Sequence, residues 1–221
     1  MIFVCGTDTG VGKTHVSAAI LNRSRNVPGV RYWKPVQTGT RTDPLDETVV
    51  RRLTELPEEF FVPTLLQFEE PLSPHRAAEL EGRSIDVEQI AGKLLELGDP
   101  LVFEGAGGLL VPLNRSETWI DFLDLARHKG CEISVVIAAR TGLGTINHSL
   151  LTIERLRMTG QRIAGIVFCG PESADNRRTV CEFGSVRDLG SFDYKTHADL
   201  DRVDSSGFLE ECLRPVRPNS S

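Results

Sequence analysis

The chain has 221 residues, 40% of them hydrophobic and 25% charged, an ordinary balance for a soluble globular protein with length for one large domain or two small ones. A formal charge of −6 argues against a general nucleic-acid or anionic-membrane surface, since either needs a basic face. No apolar run approaches a membrane span, and "MIFVCGTDTG" has neither a basic leader nor a long apolar core; the expectation is a cytoplasmic protein without a signal peptide. Cys5, Cys131, Cys169, Cys181 and Cys212 are scattered and form no C-x-x-C pair. They read as buried small hydrophobes of a reduced protein, with no disulfide framework and no zinc site.

In chain order, "MIFVC" is a short β-like run, and "KTHVSAAILNRSR" carries Val16, Ala19, Ile20 and Leu21 at helical spacing. "VRYWKPV" predicts a second strand ended by Pro35, and "DETVVRRLTEL" a helix with Val49, Val50, Leu53 and Leu56 at helical spacing. Prolines multiply between Pro57 and Pro74, predicting loops with one short strand at "TLLQF". "HRAAELEG" and "DVEQIAGKLLELG" read as helices, the second closed by Gly98. "PLVFEGAGG", "WIDFLDLARHKG", "EISVVIAA", "TINHSLLTIERLRMTG" and "RIAGIVFCG" then alternate strand, helix, strand, helix, strand. Runs such as "ISVVIAA" suit strands covered on both faces, so the pattern predicts a doubly wound parallel sheet. No repeat or linker divides the chain. One domain over 1–213 is expected, with a weaker signal beyond Glu182 and a flexible tail at 214–221.

The stretch "FVCGTDTGVGKTH" sets a glycine-rich turn between the first strand and the first helix. A phosphate-binding loop is built this way because successive backbone N–H groups must converge on phosphate oxygens without side chains in the way. Gly10, Val11 and Gly12 supply the turn, Lys13 the point charge and Thr14 a metal-ligating hydroxyl. The usual spacing puts the first glycine where this chain has Thr7, and Gly6 falls one residue early. The fold class is therefore α/β, a single-domain P-loop NTPase-like fold with a mostly parallel sheet flanked by helices on both faces. Glu104 ends a buried strand before a glycine-rich turn, either as an ordinary carboxylate or within reach of a magnesium shell. Lys34 ends the second strand on the same sheet edge, as a solvated lysine or a ligand-facing one. Asp43 and Asp46 read as helix caps or metal-associated carboxylates. In "GLGTINHSLL", Gly142, Gly144 and Thr145 lead into a helix, as a simple turn or a cradle for a substrate carboxylate. His15 and His148 read as packed or hydrogen-bonding histidines.

"GTDTGVGKT", "KPVQTG", "EPLSPHRAA", "FEGAGGLLVPL" and "GLGTINHSLLT", in that order over the first three quarters of the chain, resemble the dethiobiotin synthetase family. The resemblance implies MgATP-dependent joining of carbon dioxide to 7,8-diaminopelargonate and closure of a cyclic urea. It implies Lys34 and Lys13 as catalytic lysines, and Thr14, Asp46 and Glu104 around magnesium. The implied nucleotide-binding set is Gly10, Val11, Gly12, Lys13, Thr14, His15, Asp46, Glu104, Gly105, Ala106, Gly107, Cys169 and Gly170. Thr9, Lys34 and Thr38 are implied on the substrate, with Gly144, Thr145, Ile146 and Asn147 holding its carboxylate from the partner chain of a homodimer. Nucleic acid and membrane are not expected partners.

In that chemistry an amine takes up carbon dioxide as a carbamate, the carbamate attacks the γ-phosphate, and the second amine displaces phosphate from the mixed anhydride. Such a sequence needs alignment and charge cancellation rather than a general-base triad. Where the family often has Asn-Asp for the base, this chain has Cys169-Gly170, and "VRDLGSFDY" lacks the Gly-x-x-Pro that usually flanks it. A thiol donates and accepts poorly, so relaxed nucleobase selectivity is expected. Two other readings remain at this point. A partition or cell-division ATPase would carry a second lysine early in the loop, where this chain has Asp8, and an amide-forming cobalamin-pathway ligase would need a glutaminase domain.

Overall fold

The computed structural model describes residues 1–193, 200–204 and 208–213; the predicted tail at 214–221 lies outside them. The central sheet contains β1 (Ile2–Gly6), β2 (Arg31–Trp33), β4 (Phe61–Val62), β6 (Leu101–Gly108), β7 (Ser134–Arg140), β8 (Arg162–Cys169) and β9 (Asp188–Phe192). Its order is β4-β2-β6-β1-β7-β8-β9, and every pairing is parallel. A small parallel pair, β3 (Val36–Gln37) with β5 (Leu66–Gln67), stands beside it. The predicted strand at "TLLQF" is this β5. Strands β3, β4 and β9 were not anticipated.

Parallel strands need crossovers, and helices supply them on both faces. One face carries α1 (Lys13–Arg23), α2 (Asp46–Thr54) and α8 (Phe208–Leu213), packed on Ile2, Val4, Tyr32, Val102 and Val136. The other carries α3 (Pro74–Leu80), α4 (Val87–Leu97), α5 (Trp119–His128), α6 (Thr145–Met158) and α7 (Ala174–Gly184), packed on Phe3, Trp33, Phe103 and Val135. Alternate residues of each strand thus enter opposite cores, which is why these strands read as continuous apolar runs. All five cysteines are free, four of them buried. Burial pushes the Cys5 thiol up to about 12 and that of Cys181 to about 11, as inert packing groups require.

The same alternation positions the site. Tyr32 and Lys34 lie two residues apart on β2 and its extension, and Val102 and Glu104 two apart on β6, with Tyr32 registered on Val102. An apolar position on each strand therefore precedes a charged one on the same face, at the carboxyl end of the sheet. Ligands of open α/β sheets gather at that end.

Candidate active site

The turn after β1 enters α1 through Gly12, whose φ of 96° is left-handed. No side chain caps this helix and its first turn holds no acid, so its leading N–H groups face outward with the positive end of the helix dipole. Gly6 has a use the loop motif does not reveal. A Cβ there would lie 2.7 Å from the Asp8 carbonyl oxygen, 3.0 Å from Val11 and 3.1 Å from Lys13. Asp8 is drawn to Arg140 at the end of β7 by an ion pair, and its carbonyl accepts from Lys13 Nζ at 3.2 Å. Burial, reinforced by the positive charge of Lys34, holds the Lys13 ammonium below the usual lysine range.

Across from the loop, Lys34 Nζ meets Asp46 Oδ2 at 2.6 Å, Glu104 Oε1 at 2.9 Å and the Gly105 carbonyl at 3.2 Å. All three ammonium hydrogens are engaged. Burial alone would lower the Lys34 pKa, but the charges of Asp46 and Glu104 outweigh it and raise it. For Asp46 burial acts upward, and the Lys34 charge and hydrogen bond prevail, holding the carboxyl below its usual value. Glu104 is fully buried and also accepts from Thr14 Oγ1 at 3.1 Å, Ser17 Oγ at 3.0 Å and Tyr32 OH at 3.0 Å. Of the two aspartates weighed from sequence, Asp46 joins this cluster; Asp43 is exposed and accepts from Thr42 Oγ1 at 3.3 Å.

Lys34, Asp46, Glu104 and Thr14 line a cleft of about 660 Å³. Thr9, Gly10, Gly12, Lys13, Thr14, His15, Lys34, Thr38, Asp46, Glu104, Ala106 and Gly107 of the predicted set all face it. Val11 and Gly105 do not; both are buried, and Gly105 packs its Cα against the Phe3 ring. Gln37, Asp43, Pro44, Val49, Val111 and the stretch Pro71–Pro74 form the rest of the lining, and of these the sequence offers a ligand role for Asp43 alone. That stretch belongs to the quoted "EPLSPHRAA", so its signal was present and unread. The turn after Glu104 is fixed by Trp119 Nε1, which donates to the Ala106 carbonyl at 2.9 Å.

Two predicted groups lie outside the cleft. Cys169 is 2% exposed and packs in the core under α1, and the Gly170 N–H already donates to the Phe192 carbonyl at 2.9 Å. Gly144–Asn147 begin α6 at the end of β7; Gly144 and Asn147 are exposed, whereas Thr145 is buried and donates to the Arg140 carbonyl.

A parallel sheet, an uncapped glycine loop at a helix start and a lysine–carboxylate cluster facing it define a phosphate-loop nucleotide-dependent protein. A family model described as an AAA domain matches residues 1–200. The chain is 44% identical to the ATP-dependent dethiobiotin synthetase of Bradyrhizobium diazoefficiens, over 93% of its own length and 92% of that protein's. It is 48% identical to the enzyme of that name from Novosphingobium aromaticivorans, over 85% and 84%. The chain belongs to the dethiobiotin synthetase family, a family of ATP-dependent ligases. Its fold is shared more widely: a ParA family ATPase from Chlorobium tepidum superposes with a TM-score of 0.52 at 10% identity, over 96% of each chain.

Proposed function

We propose that this chain converts 7,8-diaminopelargonate, carbon dioxide and ATP to dethiobiotin, ADP and phosphate. The observation that carries the reading is that Lys13 and Lys34, both buried, line one cleft together with Thr14, Asp46 and Glu104. Lys13 serves the outer phosphates. Lys34 serves the junction of carbamate and γ-phosphate, exchanging one of its three present acceptors for the ligand. Both charges favour the anionic phosphoryl-transfer state over the separated ground state. The carbamate oxygen attacks phosphorus as ADP leaves; the second amine then attacks the carbamoyl carbon, expelling phosphate and closing the ring. The loop N–H groups and Thr9 and Thr38 orient the reactants.

Thr14 Oγ1, Asp46 and Glu104 would hold a magnesium ion. Two carboxylates and a hydroxyl are the hard-oxygen set of a cation shared with nucleotide phosphates, not of a closed protein cage. Among the described residues no group of three His, Cys, Asp or Glu side chains is placed to hold a metal by itself. When bound, magnesium supplies charge neutralisation on the phosphates.

The substrate carboxylate is assigned to Gly144–Asn147 of a second copy, since this segment lies off its own chain's cleft. Leu110, Leu143 and Leu151, all strongly exposed, offer an apolar face near it. With Cys169 turned into the core, base recognition falls to other groups, which supports relaxed base selectivity. Among the described residues no helix is long and apolar enough to cross a membrane, and we place the enzyme in the cytoplasm. The test is nucleoside-diphosphate release with ATP, CTP or GTP and bicarbonate, with and without the diamine, alongside mass-spectrometric detection of dethiobiotin. Diamine-dependent release with product supports the reading; hydrolysis indifferent to the diamine would sink it, and a strong ATP preference would sink relaxed base choice.

A further inference from the structure

The two oxygens of Glu104 have different surroundings. Oε1 accepts from Thr14 Oγ1 and Lys34 Nζ, groups that line the cleft. Oε2 accepts from Ser17 Oγ and Tyr32 OH, each at 3.0 Å. Both of these residues are fully buried, and neither lines the cleft, so neither touches a ligand there. A buried hydroxyl is costly unless bonded, and here two of them, from β2 and α1, converge on one carboxylate oxygen. Their joint effect is to fix the rotation of the carboxylate and present Oε1 alone to the cleft. The Tyr32 ring is held separately by apolar packing, including an edge contact with Phe61 at 6.4 Å between centroids, so its hydroxyl is left to Glu104.

We propose that Tyr32 and Ser17 are positioning residues for the divalent cation, acting through Oε2 to hold Glu104 as a one-oxygen ligand aimed beside Thr14. The proposal rests on the magnesium reading of Thr14, Asp46 and Glu104. Outer partners that orient a metal ligand typically change affinity by about 10–100-fold when removed. Tyr32→Phe keeps the ring and Ser17→Ala removes a single atom, so each deletes a donor to Oε2 with little change in packing.

Mn²⁺ is titrated by electron paramagnetic resonance in the presence of a non-hydrolysable ATP analogue, for wild type, Tyr32→Phe, Ser17→Ala and Glu104→Gln. Each hydroxyl variant is expected to weaken Mn²⁺ binding roughly 10-fold or more. Analogue affinity in metal chelator should stay at the wild-type value. In turnover assays the Mg²⁺ concentration for half-maximal rate should rise by the same factor, with kcat at saturating Mg²⁺ within about twofold of wild type. Mn²⁺ binding as tight in Glu104→Gln as in wild type, or missing in wild type, overturns the metal reading and the proposal with it. Binding lost in Glu104→Gln but untouched in both hydroxyl variants overturns the positioning role alone; should one variant fail to fold, the other decides.

Discussion

Lys34 and Glu104 extend from neighbouring parallel strands onto the same face of the sheet, and Lys34 Nζ lies 2.9 Å from Glu104 Oε1, with both side chains almost wholly buried. Removing one partner of a buried ion pair leaves a charge without compensation, at a cost of about 3–5 kcal/mol. Lys34→Met should therefore destabilise the ligand-free protein by about that amount in urea unfolding. Combining it with Glu104→Gln should give a double variant less destabilised than the sum, with a coupling of about 0.5–3 kcal/mol. Additive losses would show that the two side chains are not coupled. Turnover of Lys34→Met should fall by roughly 10²–10³-fold, the usual effect of losing one charge-stabilising donor; near wild-type turnover in a folded variant would remove Lys34 from the chemistry.

Gly6 bears on the loop rather than on the core. A methyl at this position meets the Asp8 carbonyl oxygen at 2.7 Å, and that oxygen holds Lys13 Nζ. Gly6→Ala should displace the loop, weakening nucleotide binding by about 10-fold or more while the sheet still forms, with a Tm lower by several degrees. Nucleotide titration and thermal unfolding measure the two effects. Unchanged affinity would mean that the loop yields without moving its amides.

The contrast between Gly6 and Lys13 shows what was legible in the sequence. Strand, glycine turn, Lys-Thr and helix are consecutive, so a local pattern carries the phosphate loop. The long strands β6, β7 and β8 were equally clear because burial on both faces leaves an unbroken apolar run. Strands β4 and β9 lie at the edges of the sheet; one has two residues and the other contains Gly190, so neither produces such a run. Tyr32 and Ser17 escaped because their shared partner lies 72 and 87 residues away, and only the strand order brings them together. Motif position places Cys169 beside the base, and nothing in the motif shows that the pleat directs its side chain into the core.

His15 is half-buried beside the loop, where burial and the nearby Arg52 lower its pKa below 6.5 against an opposing pull from Asp46. As pH falls below the unfolded value, the unfolded chain takes up a proton that the folded protein resists, so this residue makes stability decline toward acid. His15→Asn should flatten the change in urea midpoint between about pH 7.5 and 5.5 relative to wild type. An equally steep decline in the variant would assign the dependence to other groups.

Leu110 and Leu151 are each 56% exposed and line one groove with Thr7, Asp8 and His148, so an apolar face runs from the phosphate loop to α6. Covering what remains exposed of such leucines on association is worth about 1–1.5 kcal/mol each, and a carboxylate placed among them reverses the sign. Leu151→Asp should shift the proposed dimer toward monomer in sedimentation velocity, with its dissociation constant raised by about 10-fold or more. Turnover should fall with the dimer fraction, because Asn147 and its neighbours serve the partner's cleft in the proposed arrangement. A wild-type monomer with full activity would refute the arrangement; a monomeric variant that keeps full activity would leave the dimer in place but remove α6 from the substrate site.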